Sequence, residues 1–443
     1  MGALMMKLSD FKFLRTHAGS ICLCALLVLW CAIAFSLALA EIATVFALIF
    51  WILYRYQERI LKPQIEPTIY VPLLGYILLC VLSLFWTEVP KESYRGIVKV
   101  LKYALIFWMC AEVFQGRRER DRFENVFCLF FAVLVLDGFI QYFTGKDLLR
   151  GVALQDASAG ARVSASFKSF GLLASYLIST IPYLICLGSK YRGLAACRDS
   201  GTSQAGSSGS FWGKITNPRF MSWLAAIASI GGLVLLIWTR SRGAFLSFLV
   251  GGVLWMVFTK RFKWLMVAGL IAGGAFLLVP KSMIIHQNAE GQEQSIVERY
   301  YLWDRALNVI KAKPLTGTGI NTYTAAHAKY DKTRNWRVRD YYAHNGYLQA
   351  AAETGIPSIL FLLAFFGINF YRSLRHKTGG VAAGADNLLR QGLLIGLANF
   401  LVLTCVDTVF HNPQAVTVFW FLLGLQYAYC QGDRNISILD GKP

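Results

Sequence analysis

Charge is scarce in this chain, and acidic charge scarcer still. Only 16% of its 443 residues are Asp, Glu, Lys or Arg, against about a quarter in an ordinary soluble domain. Lys and Arg number 44, Asp and Glu 25. No Cys-x-x-Cys pair occurs among the ten cysteines, so neither a zinc site nor a disulfide framework is implied by spacing. The thiols read as small apolar residues in helices. No Asp-x-Asp pair or other carboxylate cluster stands in the segments that a membrane would leave outside, so a divalent cation held there by carboxylates is not expected. Gly317 and Gly319, in the turn from Pro314 to Asn321, are too few for a phosphate-cradling nucleotide fingerprint.

What is abundant is apolar sequence: 56% of residues are hydrophobic. A membrane span needs about 20 mostly apolar residues. Runs of that kind stand near 21–35, 39–54, 70–86, 97–113, 125–142, 168–187, 221–239, 243–258, 264–280, 356–371, 391–406 and 414–430. The expectation is an all-α polytopic membrane protein of about twelve transmembrane helices. Helices 1–6 fall in 1–187, a flexible Gly/Ser-rich cytoplasmic linker in 188–220, and helices 7–9 in 221–280. One large outer loop then occupies 281–355, helices 10–12 fall in 356–430, and 431–443 is a cytoplasmic tail. Lys7, Lys12 and Arg15 precede an apolar stretch ending in Ala38-Leu39-Ala40, which has the look of a signal-peptide cleavage site. A first helical hairpin accounts for the same residues, because the next apolar run begins at once.

Orientation follows from the basic residues. With both termini inside, each short cytoplasmic loop carries several Lys or Arg, as the positive-inside rule asks; the tightest cluster is Arg117, Arg118, Arg120 and Arg122. The outer face is also unusually basic. Such a cost is tolerated most readily where the charges bind something anionic.

Several outer residues could carry chemistry. Arg240 and Arg242 sit in Thr239-Arg-Ser-Arg-Gly243, where only a tight turn fits between two apolar runs. Two guanidiniums there either fork onto phosphate oxygens or snorkel and anchor the turn. Arg95, Lys99 and Lys102 are spaced to share one helix face, which either guides a phosphate or lies among headgroups. Arg162 and Lys168 flank a short polar stretch before a helix start, and helix N-termini favour anions. Glu298 to Arg305 reads as an amphipathic helix start bearing Arg299, Trp303 and Arg305. Seven tyrosines and two tryptophans lie from Tyr300 to Tyr347; such rings stack on sugars or line the interface. His344-Asn345-Gly346 offers a histidine that either takes a proton from a hydroxyl or caps a helix. His286, His327 and His411 have less promising neighbours.

In this order the segments resemble the O-antigen ligase and polymerase superfamily of bacterial envelope proteins. The likeness is carried by Arg162-Val-Ser-Ala-Ser-Phe with Ala174-Ser-Tyr-Leu177, and by Ser241-Arg242-Gly243-Ala244-Phe245-Leu246. It continues in Arg299 with Trp303, Pro314, Gly317 and Gly319, and in Ala343-His344-Asn345-x-Tyr347-Leu348 with Glu353 and Gly355. The family usually has glycine where Ala165 stands and Pro-Asn where Ser169-Phe170 stand. The likeness covers roughly 160–360; the first five helices match only by hydropathy.

The resemblance implies a glycosyltransferase of the GT-C type in the bacterial inner membrane, with a periplasmic active site and the large loop periplasmic. The donor would be a glycan on undecaprenyl pyrophosphate and the acceptor the lipid A core, which is O-antigen ligation in lipopolysaccharide biosynthesis. Polymerisation of the glycan and glycosylation of protein belong to the same superfamily. His344 would be the catalytic base. Arg242, Arg299, Arg162 and Arg240 would hold the pyrophosphate, with Asn345, Arg305 and Lys168 in support. No metal, cofactor or nucleic acid is implied; membrane lipid is. The rival reading is a transporter of lipid-linked glycan, which calls for ionisable residues paired near the membrane midplane, Asp137 being the clearest candidate.

Overall fold

The computed structural model describes residues 17–60, 62–155, 161–199, 216–258, 294–330, 342–376 and 383–431. The expected apolar run at 264–280, His286, the core of the Gly/Ser-rich linker and most of the C-terminal tail lie outside those residues. Among the described residues the regular elements are helices, with two isolated bridges, Lys146 to Ala153 and Gln155 to Arg162. In chain order they are α1 (Ala18–Phe35), α2 (Leu37–Gln57), α3 (Pro67–Leu82), α4 (Pro90–Val113), α5 (Arg117–Thr144), α6 (Phe170–Asp199) and α7 (Pro218–Trp238). There follow α8 (Arg242–Phe258), α9 (Gln294–Ala312), the single turn α10 (Tyr323–Ala326), α11 (Gly346–Arg375), α12 (Ala383–Thr404) and α13 (Pro413–Tyr429).

Local sequence sets many of these starts. Pro67, Pro90, Pro218 and Pro413 open α3, α4, α7 and α13, where a missing N–H costs nothing and φ is already helical. Asn217, Asn345 and Asn412 cap α7, α11 and α13 by accepting from backbone N–H groups just inside the helix, the satisfaction that a first turn otherwise lacks. Ser36 does the same for α2, accepting from the Leu39 amide at 3.2 Å. Ala38 to Ala40 therefore lie in the first turn of a helix.

Among the described residues, eight helices are long and apolar enough to cross a membrane: α1, α2, α3 with its extension to Phe85, α5, α6, α7, α11 and α12. The chain is a multi-pass membrane protein. Three more of the expected runs form helices of a different kind. α8 is short; α4 carries Lys91, Glu92, Arg95, Lys99, Lys102 and Glu112; α13 has 17 residues, all but its first buried. α6 and α13 form the centre of the bundle, with α6 against α7 and α12 and α13 against α4. Lipid tails give apolar helices little reason to associate, so close packing must do so. It does: a Cβ on Gly396 would strike the Ser179 carbonyl of α6, and one on Gly424 would lie 2.5 Å from the Phe107 carbonyl of α4. Trp30 fills the middle, its ring centroid 5.0 Å from Phe421 and 5.3 Å from Phe123.

Two boundaries differ from the sequence expectation. α6 continues past 187 to Asp199. The segment 281–355, expected as a loop, is largely helical where described: α9 has 19 residues, and α11 starts at Gly346 rather than near 356. The reason for the second is a break inside α11. Gly355 takes φ 80° and ψ 164°, and Pro357 disfavours helix at the residue before it. The Ile356 amide leaves the helical ladder and donates to the Pro314 carbonyl at 2.8 Å. Thr318 and Gly319 donate to the Ala352 and Glu353 carbonyls at 3.1 and 2.8 Å. The Pro314–Gly319 turn is thus stitched into the break of α11, and both glycine motifs serve that seam.

At this seam Gly317 has φ 62°, and an added Cβ would overlap the Glu353 backbone; one on Gly355 would overlap the Leu315 carbonyl. Left-handed φ alone costs a non-glycine residue roughly 1–2 kcal/mol. Gly317→Ala is expected to destabilise by at least about 2 kcal/mol, read as a lowered melting temperature of the detergent-purified protein. An unchanged Tm would refute the close approach.

Candidate functional site

One group of candidates converges at the turn between α7 and α8. Buried Thr239 donates its hydroxyl to the Leu236 carbonyl at 2.6 Å and accepts from the Ser241 amide at 3.3 Å. This closes a turn in which Arg240 is left-handed, with φ 50°. Ser241 then accepts from Phe245 at 3.0 Å, and α8 begins at Arg242. The two arginines flank the turn and a helix N-terminus, where the backbone adds positive potential.

The segment after α5 supplies the third arginine. Arg162 exchanges backbone bonds with Gln155 at 2.8 and 3.2 Å, and the Val163 amide donates to the Trp238 carbonyl at 3.2 Å. The segment is therefore tied to the end of α7. Gln141 of α5 uses its whole amide to hold it. Its Oε1 accepts from the Ser164 and Ala165 amides at 2.9 and 2.8 Å, and its Nε2 donates to the Ser164 hydroxyl and the Val152 carbonyl at 3.2 and 3.1 Å. Arg150 adds a bond to the Ser166 carbonyl at 2.9 Å. Burial, and then the charges of Arg240 and Arg242, hold the Arg162 guanidinium below its usual pKa. The Arg162 guanidinium thus feels the charges of both arginines of this turn.

The two family departures have physical counterparts here. Ala165 sits at φ 47°, a conformation that suits the glycine usual in the family. Phe170 places its ring 4.5 Å below the Arg162 guanidinium, a cation–π support that Asn could not supply.

His344 lies at the start of α11 and is itself left-handed, with φ 45°. Its Nδ1 is 3.4 Å from Asp407 Oδ1, both side chains being about two-fifths exposed (37% and 41%). The Asp407 carbonyl also accepts from the Gly346 amide at 3.2 Å. Asp407 is the residue that sequence reasoning missed. It is remote in sequence and stands alone at the end of α12, with no motif to mark it. Asn345 is occupied as the α11 cap, accepting from the Tyr347 and Leu348 amides at 3.1 and 3.0 Å. From α9, Trp303 donates to the His344 carbonyl at 3.4 Å. Arg299 lies one turn earlier on the same face of α9, so it approaches on a different element from the other arginines.

The connection from α12 to α13 aligns these parts. At its start, Leu403 and Val406 pack on Gly243, next to Arg242. At its middle Asp407 meets His344. At its end His411 Nε2 lies 3.4 Å from the buried Glu353 carboxylate of α11. His411 was expected to have poor neighbours; the fold gives it a buried acid from a helix 58 residues away in sequence.

The remaining candidates are placed elsewhere. Arg305 is buried, its Nη1 3.5 Å from His327 Nε2, within the small core under α9. Lys168 is exposed. The basic face of α4 is divided: Arg95 pairs with Glu92 and Lys102 with Glu41, each at 2.6 Å, while Lys99 donates to Asn321 at 3.2 Å. Asp137 accepts from the Leu148 and Leu149 amides at 2.8 and 3.3 Å; it orders a turn beside the arginine group.

Residues 226–363 match the family model described as O-Antigen ligase. That segment holds Arg240, Arg242, Arg299 and His344, and leaves Arg162 and Asp407 outside it. The exopolysaccharide production protein ExoQ of Rhizobium meliloti (strain 1021) is a relative 27% identical over 111 residues, which are 23% of this chain and 24% of the relative. The match spans about a quarter of that relative's length. Over residues 226–363 the chain is similar to the O-antigen ligase and polymerase superfamily.

Proposed function

We propose that this protein transfers a glycan from undecaprenyl pyrophosphate to the lipid A core, acting as an O-antigen ligase of the GT-C type on the periplasmic face. The observation that carries the reading is the convergence of Arg162, Arg240 and Arg242 on one turn, joined through the end of α12 to the His344–Asp407 pair. Three adjacent cations at a helix N-terminus favour a dense anion, and a pyrophosphate supplies one.

The chemistry follows. The acceptor hydroxyl oxygen attacks the anomeric carbon of the donor glycan as His344 removes its proton. Asp407, facing Nδ1, keeps that nitrogen protonated and directs Nε2 to the hydroxyl, the division of labour that a carboxylate imposes on a catalytic imidazole. The bond between the anomeric carbon and the phosphate oxygen breaks, and the lipid pyrophosphate leaves with the electron pair, its charge balanced by the arginines, Arg299 included. Such charge stabilisation is often the largest single term in catalysis. The pyrophosphate is already a good leaving group, so the step needs no ATP. A single displacement inverts the anomeric centre; a retained linkage in the product would rule it out.

A second reading, in which the acceptor is another lipid-linked glycan, is favoured by the relative named for exopolysaccharide production. The two differ in acceptor and share every residue above.

The test is transfer by purified protein from glycan-linked undecaprenyl pyrophosphate, with lipid A-core present and ATP and divalent metal omitted. Lipid A-core glycosylation supports the ligase; glycan lengthening on its own lipid supports the polymerase; neither product defeats both. His344→Ala is expected to lose about 100-fold or more in kcat, and Asp407→Asn at least about tenfold. Arg242→Lys keeps the charge but not the planar fork, and a loss of about tenfold or more is expected. Full activity in Arg242→Lys would show that two-pronged phosphate binding there is wrong.

A further inference from the structure

A cavity of about 90 Å³ lies between α3, α4, α11 and α13, lined in part by Phe410 and His411 of the connection that carries Asp407. Its polar mouth is formed by Lys99, Asn321, Glu353 and His411, and its walls include the rings of Tyr76, Tyr103 and Trp420. It is built rather than accidental. Glu353 is 4% exposed and accepts from the Asn321 amide at 2.8 Å, the Tyr323 amide at 3.2 Å and the Gln349 amide group at 3.2 Å. Gly96 of α4 lets the Asn321 turn approach; a Cβ there would lie 2.8 Å from that of Asn321. The buried Nδ1 of His411 has no hydrogen-bond partner among the described residues. A buried polar atom left in that state ordinarily has a water or a ligand to meet it.

The chemistry of the mouth selects a class of ligand. Lys99 and the Glu353 carboxylate bring opposite charges to the mouth, unlike the like charges of the arginine turn, so it suits a phosphate less well. Donors and acceptors stand side by side, which suits hydroxyl groups that both give and accept. Aromatic walls suit the C–H faces of a sugar ring. A water needs roughly 10–15 Å³ by the same measure, so the cavity replaces a handful of waters, the space of one monosaccharide unit.

Position narrows the role. The connection from α12 to α13 passes the arginine turn at Leu403, His344 at Asp407, and the cavity at Phe410 and His411. Ala350, on the cavity wall, lies one turn of α11 beyond Gly346, a rise of about 6 Å. Along this one connection the arginine turn, the base and the polar cavity are met in that order. We propose that this cavity is the subsite for a neutral pyranose unit of the acceptor, with Lys99 and His411 reading its hydroxyls. This rests on the glycosyl-transfer reading, in which the acceptor oxygen and the leaving group lie on opposite faces of the anomeric carbon and the base stands on the acceptor's side.

The test has a binding arm that needs no turnover. Saturation-transfer NMR is recorded on the full detergent-purified chain with methyl glucoside, methyl galactoside and methyl mannoside, and with inorganic phosphate as competitor. The expected result is a signal from at least one pyranoside that phosphate does not displace. It is weakened about tenfold or more in Lys99→Met, which removes a charged hydrogen-bond donor, and in Val100→Phe, which fills the pocket. Both variants leave the Glu353 seam in place, and each is required to keep the wild-type Tm. In the transfer assay, Lys99→Met is expected to raise the acceptor KM by a similar factor with the donor KM unchanged. No pyranoside signal, a signal indifferent to both variants, or displacement by phosphate would overturn the subsite, even where transfer proceeds. Pyranoside binding without any transfer would uphold the cavity and overturn the enzymatic reading instead.

Discussion

The Glu353 carboxylate is buried in the break of α11 and takes hydrogen bonds from the Asn321 and Tyr323 amides and from Gln349, with His411 beside it. A carboxylate so deeply buried is tolerated only when its lone pairs are filled. Filling them brings together three segments that are far apart in sequence: the turn after α9, the first turns of α11 and the start of α13. Gln349 extends the effect, because its other amide atom accepts from the Ala343 amide at 3.3 Å, the residue before His344. The left-handed backbone at His344 is therefore held from one side by the Glu353 network and from the other by Asp407. Residues in sparsely populated φ regions persist when their surroundings over-determine them, and here two independent sets of bonds do so.

Positive charge is paired with carboxylates at both ends of the bundle, and at one end it is also gathered at a single turn. At the end away from His344, Arg55 and two indole N–H groups converge on Glu112, and Lys190 lies between Asp121 and Glu124 at 2.8 and 2.5 Å. Those basic residues close internal ion pairs. At the other end Arg162, Arg240 and Arg242 are gathered at one turn, at a cost in mutual repulsion that an anionic substrate would relieve. Gln141, Arg150 and Phe170 restrain the Arg162 segment, as three flexible cations cannot hold such an arrangement by themselves.

Much of this was legible in one dimension. Apolar runs located the helices because a span must satisfy its own backbone, and the prolines and asparagines at their starts act over three or four residues. Arg240, Arg242 and His344 stood out because a short polar insertion between apolar runs has few structural uses. The Pro314–Gly319 and Glu353–Gly355 motifs were visible, but not that each is the other's partner. Their glycines are required by a contact between segments, and a contact has no signature in either segment alone. The spacings of four and three that put Arg95, Lys99 and Lys102 on one helix face left their partners open for a related reason. A shared helix face does not mean a shared neighbour, and α4 turns each of the three to a different partner.

The sequence by itself determined that the chain crosses a membrane several times, that positive charge collects where apolar runs end, and that a histidine stands among it. These depend on local composition and on the periodicity of a helix, which any reader of the chain can count. Only the tertiary structure decided which arginines lie together, that Asp407 faces His344, and that His411, Glu353 and Lys99 line a pocket. Those pairings join residues separated by dozens to hundreds of positions. They follow from how α4, α11 and α13 pack, which depends on the volumes and approach distances of side chains such as Gly96, Gly396 and Gly424, and so on all of the helices at once.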